Sequence, residues 1–586
     1  MKNSAAFICM LAIVFAAGFA VLAATLWRVQ VRGAAGWKQN QDVQITRRVR
    51  TVGARGRILD CEGRVLAECR AARNAVLRPE AFAGAGGKVK KRVAAAMETV
   101  KKLASALGRD VPFADDAIER HFMRSSVLPL TIFRDLDDRE LAIVAEHGMD
   151  MPGIDIENEC ARTYPFGALA CHVIGYTGSE IPSVGGEERL RNYHFVMPEL
   201  RGRAGIEAYY DGYLRGAPGE RLLNVNALGY ATEKAGGLAA ASDRAAGPDL
   251  HLTLDAKVQN ALEKELEGVT GAGVVLACKD GAVVAMASSP KYDLNDLVPV
   301  LRGETYCALT NNPAKPLVNR ALGGLYEPGS TFKPITALAA WRAGIDPDAL
   351  YECKGIYKKT HCWDRWGHGF IGLKNAIEYS CNTYFLHLAD IAGGTNVCAQ
   401  ARDFGLGRKT GIDLYGEAVG GVEPWMLQAA IGQGKVQVTP LQMAVVTVAL
   451  ATGGKIVTPH LKKREGEGNG AMPRMAKFPL KDYETVRMGL WAVTQTGTGR
   501  RIRTRTDENG KRHQLAVSCA GKTGTAERGT GEKRTKNTWA IAFAPYDKPE
   551  VAVALVVERG ESGGTTAAPR VHTVLAAIFG EREEGR

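Results

Sequence analysis

Ser330 and Lys333 stand three residues apart in the stretch Pro328-Gly329-Ser330-Thr331-Phe332-Lys333-Pro334. On a helix that spacing places an amine one turn from a hydroxyl, on the same face. A serine hydroxyl is a weak nucleophile until a neighbouring base takes its proton, and a lysine can do so when it is neutral or readily neutralised. Proline is tolerated only in the first turn of a helix, so Pro334 predicts a helix that begins near Ser330. The hydroxyl then lies at the positive end of the helix dipole, where a developing oxyanion is stabilised. Alone, S-x-x-K also describes an exposed helical turn. Two later motifs change its weight. Ser380-Cys381-Asn382 supplies a second hydroxyl and an amide, and Lys522-Thr523-Gly524-Thr525 supplies a second cation, a hydroxyl and a glycine that a substrate can approach closely. Singly these read as a helix cap and a surface hairpin. In this order the three form a set suited to serine acyl transfer, far more specific than any one of them.

Between the first two motifs lies a thiol-rich stretch with Cys353, His361, Cys362, His368 and Cys381. The series Cys353-x8-Cys362-x5-His368-x12-Cys381 offers three thiolates and an imidazole, a ligand set that suits tetrahedral Zn²⁺. The spacing is not that of a common zinc finger. A Cys353–Cys362 disulfide closing a loop, or free thiols in a core, would also account for it. A zinc here would be structural, pinning the loop after Tyr351 to the Ser380 segment, because a fully ligated ion has no open position for chemistry. The chain has 12 cysteines, of which Cys9 lies in an apolar run. The remaining odd number cannot all pair within one chain, so a complete intramolecular disulfide framework is excluded.

These residues need elements to hold them. At 586 residues the chain is too long for one core and predicts two to four domains. Ala5 to Trp27 is an uncharged apolar run long enough to span a bilayer and longer than the apolar region of a cleaved signal peptide, which predicts a transmembrane signal anchor over residues 1–27. Residues 28–245 form a mixed α+β unit. In it, short strands at Arg55–Asp60 and Gly63–Leu66 flank a Glu-Gly turn, and 88–107 carries helical spacing. The Gly-, Ala- and Asp-rich stretch 235–248 reads as a linker. Residues 246–586 form a second unit. There His251–Asp255 reads as a strand, Ala256–Leu266 as a helix, and Gly273–Leu276 with Ala282–Met286 as a hairpin around Lys279-Asp280-Gly281. Near its end, Lys522 follows the apolar stretch Leu515–Ala520, which with strands at Thr538–Ala544 and Val551–Val557 would make an antiparallel sheet, closed by a helix at Ala567–Phe579. The fold class is therefore α/β, a sheet flanked by helices. The formal charge of +12 is spread out. The basic stretches Lys88–Arg92 and Lys101-Lys102 have no interleaved aromatics, so they read as a solvated helical face and not as a nucleic-acid site. An anionic membrane surface or cell-wall polymer suits this balance better.

The match extends beyond the three motifs. Tyr326-Glu327-Pro328-Gly329-Ser330-Thr331-Phe332-Lys333, Gly432-Gln433-Gly434, Val438-Thr439-Pro440-Leu441-Gln442 and Ala520-Gly521-Lys522-Thr523-Gly524-Thr525-Ala526-Glu527 resemble the transpeptidase domain of the class B penicillin-binding proteins, the monofunctional D,D-transpeptidases of cell-wall synthesis. Arg55-Gly56, Arg162-Thr163-Tyr164-Pro165, Gly175-Tyr176 and Gly202-Arg203-Ala204-Gly205-Ile206-Glu207 resemble their pedestal, or dimerisation-type, region. The resemblance implies that Ser330 attacks the carbonyl between the last two D-alanines of a peptidoglycan stem peptide. Lys333 would take its proton, and backbone N–H groups of Ser330 and Thr525, beside Gly524, would hold the oxyanion. Lys522 and Thr523 would bind the donor carboxylate, Ser380 would relay a proton to the departing D-alanine, and Asn382 would orient the amide. The acyl transfer would need no cofactor, and β-lactams would stall it. Some members carry zinc near the serine. The resemblance also implies a polytopic glycosyltransferase of the shape–elongation–division type as partner, and a body on the extracytoplasmic side of the membrane. Two rival readings are a β-lactam-hydrolysing or β-lactam-sensing serine protein, for which no deacylating base is evident, and a catalytically silent activator of the glycosyltransferase, against which the intact motif set argues.

Overall fold

The computed structural model describes residues 2–32, 46–84, 89–181, 193–225, 230, 245–423, 427–464, 474–476, 480–507, 509–528 and 534–583. Most of the expected linker, 235–248, lies outside the described residues.

The apolar run forms helix α1 (Lys2–Trp27), whose described residues are exposed throughout. With no apolar face to bury against the protein, it is the one helix among the described residues long and apolar enough to cross a membrane.

The pedestal is built on a sheet of β1 (Ile58–Leu59), the long β2 (Val65–Leu77), β3 (Leu130–Phe133) and β4 (Ile154–Thr163). Helix α2 (Val89–Leu107) lies over the sheet. Val93, Ala96, Met97, Val100, Leu103 and Ala104 of this helix are buried, spaced by three and four, and they pack with Ala75, Leu77, Ile132 and Phe133 of the sheet. The predicted helix over 88–107 is thus realised. Strands β2 and β4 pair antiparallel from Glu68 opposite Thr163 to Leu77 opposite Ile154. A disulfide between Cys69 and Cys160 ties them together.

The pedestal motifs explain themselves as one buried ionic centre. Glu207 accepts from Arg55 Nε and from Arg162 Nε, each at 2.6 Å, and Asp211 accepts a further bond from Arg55 at 2.7 Å. Burying one such charge unpaired would cost several kcal/mol, which is why the arginines and the acid come as a group.

The two units are stitched at Arg57-Ile58-Leu59-Asp60. Strand β1 pairs parallel with β5 (Leu250–His251), the first strand of the second unit. The expected strand His251–Asp255 is shorter than its alternating pattern suggested, because Asp255 turns to cap the helix α3 (Ala256–Glu265) by accepting from Lys257 N. Asp60 accepts from Ala256 N at 3.3 Å, and Arg64 reaches Asp255 at 3.2 Å.

The second unit centres on an antiparallel sheet of β6 (Gly271–Ala277) and β7 (Val283–Ser289), which form the expected hairpin. Helices α4 (Lys333–Arg342), α5 (Leu373–Glu378), α6 (Asn382–Ala392), α7 (Pro440–Ala451) and α8 (Leu480–Gln495) make up the middle of the unit. Strands β8 (Ala520–Arg528), β9 (Thr535–Ala544) and β10 (Val551–Glu558) and helix α9 (Ala568–Phe579) follow. Sheet order is β7-β6-β10-β9-β8. The third strand is a correction: it runs through the Lys522 motif, Ala520–Arg528, and not through Leu515–Ala520 ahead of it. Both faces of the sheet are covered. On β9, Trp539, Ile541 and Phe543 pack toward the helical middle, while Ala540, Ala542 and Ala544 pack on the side of α3 and α9. Two-sided burial explains why β10 reads as an unbroken apolar run. Val438-Thr439-Pro440-Leu441-Gln442 proves to be a helix start: Thr439 and Gln442 form a reciprocal capping box, with Pro440 in the first turn of α7.

Candidate active site

A single tight 3-10 turn, Gly329–Phe332, carries Ser330 and runs directly into α4 at Lys333. The turn has Gly329 at φ +56°, a conformation that a side chain would strain. Strand β8 is pressed against it. A Cβ on Gly329 would lie 2.9 Å from Thr525 O, and one on Gly524 would lie 2.8 Å from Pro328 O. Glycine at both contacts lets the strand backbone reach the serine turn. Two further bonds fix the turn from behind: Trp539 Nε1 donates to Glu327 O at 2.9 Å, and Gly329 N donates to Gly432 O at 2.8 Å.

Lys333 is fully buried. Its ammonium donates to Ser380 O at 2.7 Å, to Ser380 Oγ at 3.1 Å and to Asn382 Oδ1 at 2.8 Å. It lies 5.6 Å from the centroid of the Phe385 ring. The S-x-x-K and S-x-N motifs are therefore joined through this one amine. Burial brings Lys333 down to about 7, with the neighbouring thiols Cys381 and Cys362 opposing that fall. Lys522 is equally buried, on β8, and donates to Thr523 O at 3.0 Å. Burial first, and the charge of Lys333 second, hold it well below the ordinary lysine value. Among the described residues neither lysine has a carboxylate partner. Ser330 Oγ makes no hydrogen bond among the described residues, so the amine is committed to Ser380 and Asn382 while the serine hydroxyl is left unengaged.

Ser380 adopts φ +55°, an unfavourable region for a non-glycine residue. The strain turns its carbonyl and hydroxyl together onto Lys333, one residue before Cys381 caps α6 by accepting from Tyr384 N. The cap expected of Ser380-Cys381-Asn382 on its own thus coexists with the contacts to the amine.

Several residues that hold this site carried no sequence signal of their own. Thr523 Oγ1 donates to Thr498 Oγ1 at 2.9 Å, Thr525 Oγ1 accepts from Gly563 N at 3.1 Å, and Glu378 accepts from Thr496 Oγ1. The hydroxyl-rich run Thr494-Gln495-Thr496-Gly497-Thr498 was the signal available, though only the fold places it opposite β8.

The thiol series also comes together. The ligand atoms of Cys353, Cys362, His368 and Cys381 all lie within 4.8 Å of one another. His368 Nδ1 is 3.5 Å from Cys353 Sγ and 3.7 Å from Cys362 Sγ, and the sulfurs of Cys362 and Cys381 are 3.9 Å apart. A tetrahedral zinc with sulfur ligands at ~2.3 Å and nitrogen at ~2.0 Å requires ligand atoms roughly 3.5–3.8 Å apart. His368 Nε2 is buried with no hydrogen-bond partner. Cys362 and Cys381 face one another closely enough to share a proton, which lowers Cys362 and raises Cys381. None of the four is in a disulfide, so the Cys353–Cys362 bridge is not formed. His361 lies apart, exposed on a two-residue strand.

Residues 271–576 match the family profile of the penicillin binding protein transpeptidase domain, and residues 50–252 match that of the penicillin-binding protein dimerisation domain. The chain is 32% identical over 480 residues to the peptidoglycan D,D-transpeptidase MrdA of Acinetobacter baumannii, covering 74% of this chain and 68% of the relative. Among solved structures it is similar to the penicillin-binding protein PBP2 of Helicobacter pylori in complex with MreC, with a TM-score of 0.75 at 25% identity over 91% of this chain and 99% of that one. It is also similar to a chain in a peptidoglycan synthase complex that coordinates polymerization and crosslinking, with a TM-score of 0.68 at 28% identity over 98% of both.

Proposed function

We propose how this chain, which belongs to the class B penicillin-binding proteins and is a peptidoglycan D,D-transpeptidase, divides acyl transfer among the residues around Ser330. The observation that carries the assignment is Lys333: a fully buried amine, brought down to about 7 by its burial, joined to Ser380 and Asn382 and without a carboxylate partner among the described residues. An amine neutral near pH 7 can accept a proton that an ordinary lysine cannot.

In this reading Ser330 Oγ attacks the carbonyl between the two terminal D-alanines of a stem peptide, and its proton passes to Lys333. The backbone N–H groups of Ser330 and Thr525 receive the oxyanion, supported by the close approach of β8 to the serine turn. Lys522 and the hydroxyl of Thr523, the latter already bonded to Thr498, bind the donor's terminal carboxylate. Ser380 returns the proton to the departing D-alanine, and Asn382 orients the substrate amide. The amine of a neighbouring stem peptide then attacks the acyl-enzyme, Ser330 leaves, and a cross-link forms. A β-lactam acylates the same oxygen and stalls there.

Residues 1–27 serve as anchor, 28–245 as pedestal and 246–586 as transpeptidase, with the body outside the cytoplasm because its polymer substrate is there. The membrane helix and the pedestal would meet a polytopic glycosyltransferase, a partner of the kind that a peptidoglycan synthase complex implies. Cys353, Cys362, His368 and Cys381 fit a structural zinc by donor set and spacing. When bound, it would cross-link the Cys353–His368 loop to the start of α6.

Mass spectrometry of the full-length protein after treatment with a penicillin tests the assignment. One adduct, on the peptide containing Ser330 and absent in Ser330→Ala, is expected. Labelling that persists in Ser330→Ala, or an adduct that is released within seconds, would overturn it.

A further inference from the structure

The junction of the two large units carries a cleft that acyl transfer does not use. It measures about 450 Å³ and is lined by Tyr210 and Tyr213 of the pedestal and by Asp413, His460, Lys462, Lys463 and Arg464 of the catalytic unit. It shares no residue with the Ser330 site. A row of tyrosines crosses the junction. The ring of Tyr209 lies 5.1 Å from Tyr210 and 4.9 Å from Tyr415, and Tyr210 lies 6.5 Å from Tyr213. Three of the four are open to solvent: Tyr415 is 68% exposed, Tyr213 39% and Tyr209 38%.

Beside the tyrosines stands a run of positive charge, Lys462-Lys463-Arg464. Asp413 is spent on structure: it accepts from Tyr210 Oη at 2.7 Å, from Leu461 N at 2.7 Å and from Lys462 N at 2.9 Å. It thereby holds the 460s segment against the pedestal. Lys462 Nζ rests 4.1 Å over the Tyr213 ring, and Lys463 Nζ donates to the carbonyl of Cys61 at 3.3 Å. Among the described residues none of Lys462, Lys463 and Arg464 pairs with a carboxylate.

We propose that this cleft, together with the exposed Tyr209–Tyr415 pair that adjoins it through Tyr210, is a second substrate subsite that takes the glycan strand of peptidoglycan, with pyranose rings on Tyr209 and Tyr415 just outside the cleft and the strand's carboxylates on Lys462, Lys463 and Arg464 within it. The proposal rests on the transpeptidase reading, since it names where that enzyme holds the rest of its polymer. The flat C–H face of a sugar ring packs on an aromatic face, and the tyrosine hydroxyl leaves a polar handle for the sugar's own hydroxyls. Cations with no carboxylate partner among the described residues supply the attraction for a strand that carries a carboxylate at each stem. Each contact is weak, but a strand offers many repeats. Holding it at the junction raises the effective concentration of its stems at Ser330 without any new contact there.

The test uses the full-length protein in detergent micelles. Its probes are fluorescent uncross-linked peptidoglycan strands bearing pentapeptide stems, and polyglutamate as a polyanion without sugars. Tyr415→Ala should weaken strand binding about fivefold, on the scale of one lost aromatic stacking contact. Lys462→Gln with Arg464→Gln should weaken it by about tenfold, as two lost surface charge contacts would. Cross-linking of long strands should fall in both variants. Fluorescent-penicillin labelling of Ser330, which also reports correct folding, and release of D-alanine from a short pentapeptide should stay at the wild-type rate. Strand binding equal to wild type in all the variants would overturn the subsite. So would polyglutamate that binds as tightly as the strands and is indifferent to Tyr415, which would mark a general polyanion site. Failure of the wild type to label at Ser330 would instead sink the transpeptidase reading, whatever the binding data.

Discussion

The pedestal and the catalytic unit each bury cations, and they do opposite things with them. In the pedestal, Arg55 and Arg162 close on Glu207 with side chains no more than 2% exposed, and Asp211 adds a further acceptor. In the catalytic unit, Lys333 and Lys522 are as deeply buried, yet their partners are hydroxyls, an amide oxygen and backbone carbonyls. An ion pair satisfies a buried charge, keeps it ionised and makes it structural. A buried amine given only neutral acceptors is destabilised as a cation, so it sheds its proton more readily and can act as a base. On the proposed division of roles, the difference between a strut and a catalyst lies in what the fold places opposite the cation.

That contrast is broken most sharply at Lys333. Lys333→Ala should slow acylation of Ser330 by about 10³-fold, the scale of a lost general base. Its melting temperature should change little, because the three hydrogen bonds lost to Ser380 and Asn382 are offset by relief from burying an amine without a carboxylate partner. Stopped-flow labelling with a fluorescent penicillin, read beside a thermal melt, checks both halves; a variant that melts early and labels normally would reverse the argument. The pedestal should behave the other way. Glu207→Gln leaves two buried guanidiniums short of charge and should cost roughly 3–5 kcal/mol of pedestal stability. A lower urea midpoint is expected, with Ser330 in the folded fraction labelling at the wild-type rate. Loss of labelling without loss of stability would mean that Glu207 acts on the chemistry after all.

These two centres were not equally legible in the sequence. Ser330, Lys333 and Lys522 declare themselves because acyl transfer demands those residue types, and because Pro334 and Gly524 mark where a helix must start and a backbone must come close. The pedestal motifs were visible as a resemblance, but nothing in the order Arg55, Arg162, Glu207 says that the three meet, since their spacing along the chain is set by the strands between them. The strand carrying Lys522 was misplaced for a related reason. Lys-Thr-Gly-Thr has little strand character of its own, and it is the pairing of Lys522 with Ile541 and of Gly524 with Trp539 that makes it one. Thr498 and Glu378 were silent because their roles come from tertiary approach. The alternation at His251–Asp255 suggested too long a strand because it took no account of the helix cap that Asp255 provides.

A smaller effect sharpens the comparison through pH. With Lys333 at about 7, the neutral fraction of the base falls as pH drops below that value. The labelling rate should therefore fall about tenfold per pH unit well below pH 7 and level off above it. The linkage has a definite sign. The folded value is depressed from the ordinary 10.5, so the unfolded chain binds the extra proton between about 7 and 10.5, and folding stability should rise with pH across that window as far as Lys333 is concerned. A labelling rate flat from pH 5 to pH 8 would mean that the amine is not the base.

The smallest effect comes from the thiol cluster, which stands between the two cases. Cys353, Cys362 and Cys381 bring the reverse problem: three buried thiols meet at one point, so their ionised forms would be like charges buried together, with the Lys333 amine beside Cys362 and Cys381 itself close to neutral. A bound zinc would answer them as Glu207 answers its arginines, and would make the cluster a strut beside the catalyst. Cys362→Ser should then lower the metal content of the purified protein from about one zinc per chain toward none, a stoichiometry that follows from one tetrahedral site. It should also lower the melting temperature by about 2–4 °C, the shift expected of roughly 1 kcal/mol in a domain of this size. Acylation of Ser330 should survive, slowed only as far as the Ser380 segment loosens. Elemental analysis of wild type and variant is the measurement. Equal zinc in both, or none in the wild type, would leave the thiols as core residues and confine the comparison to the lysines and the arginines.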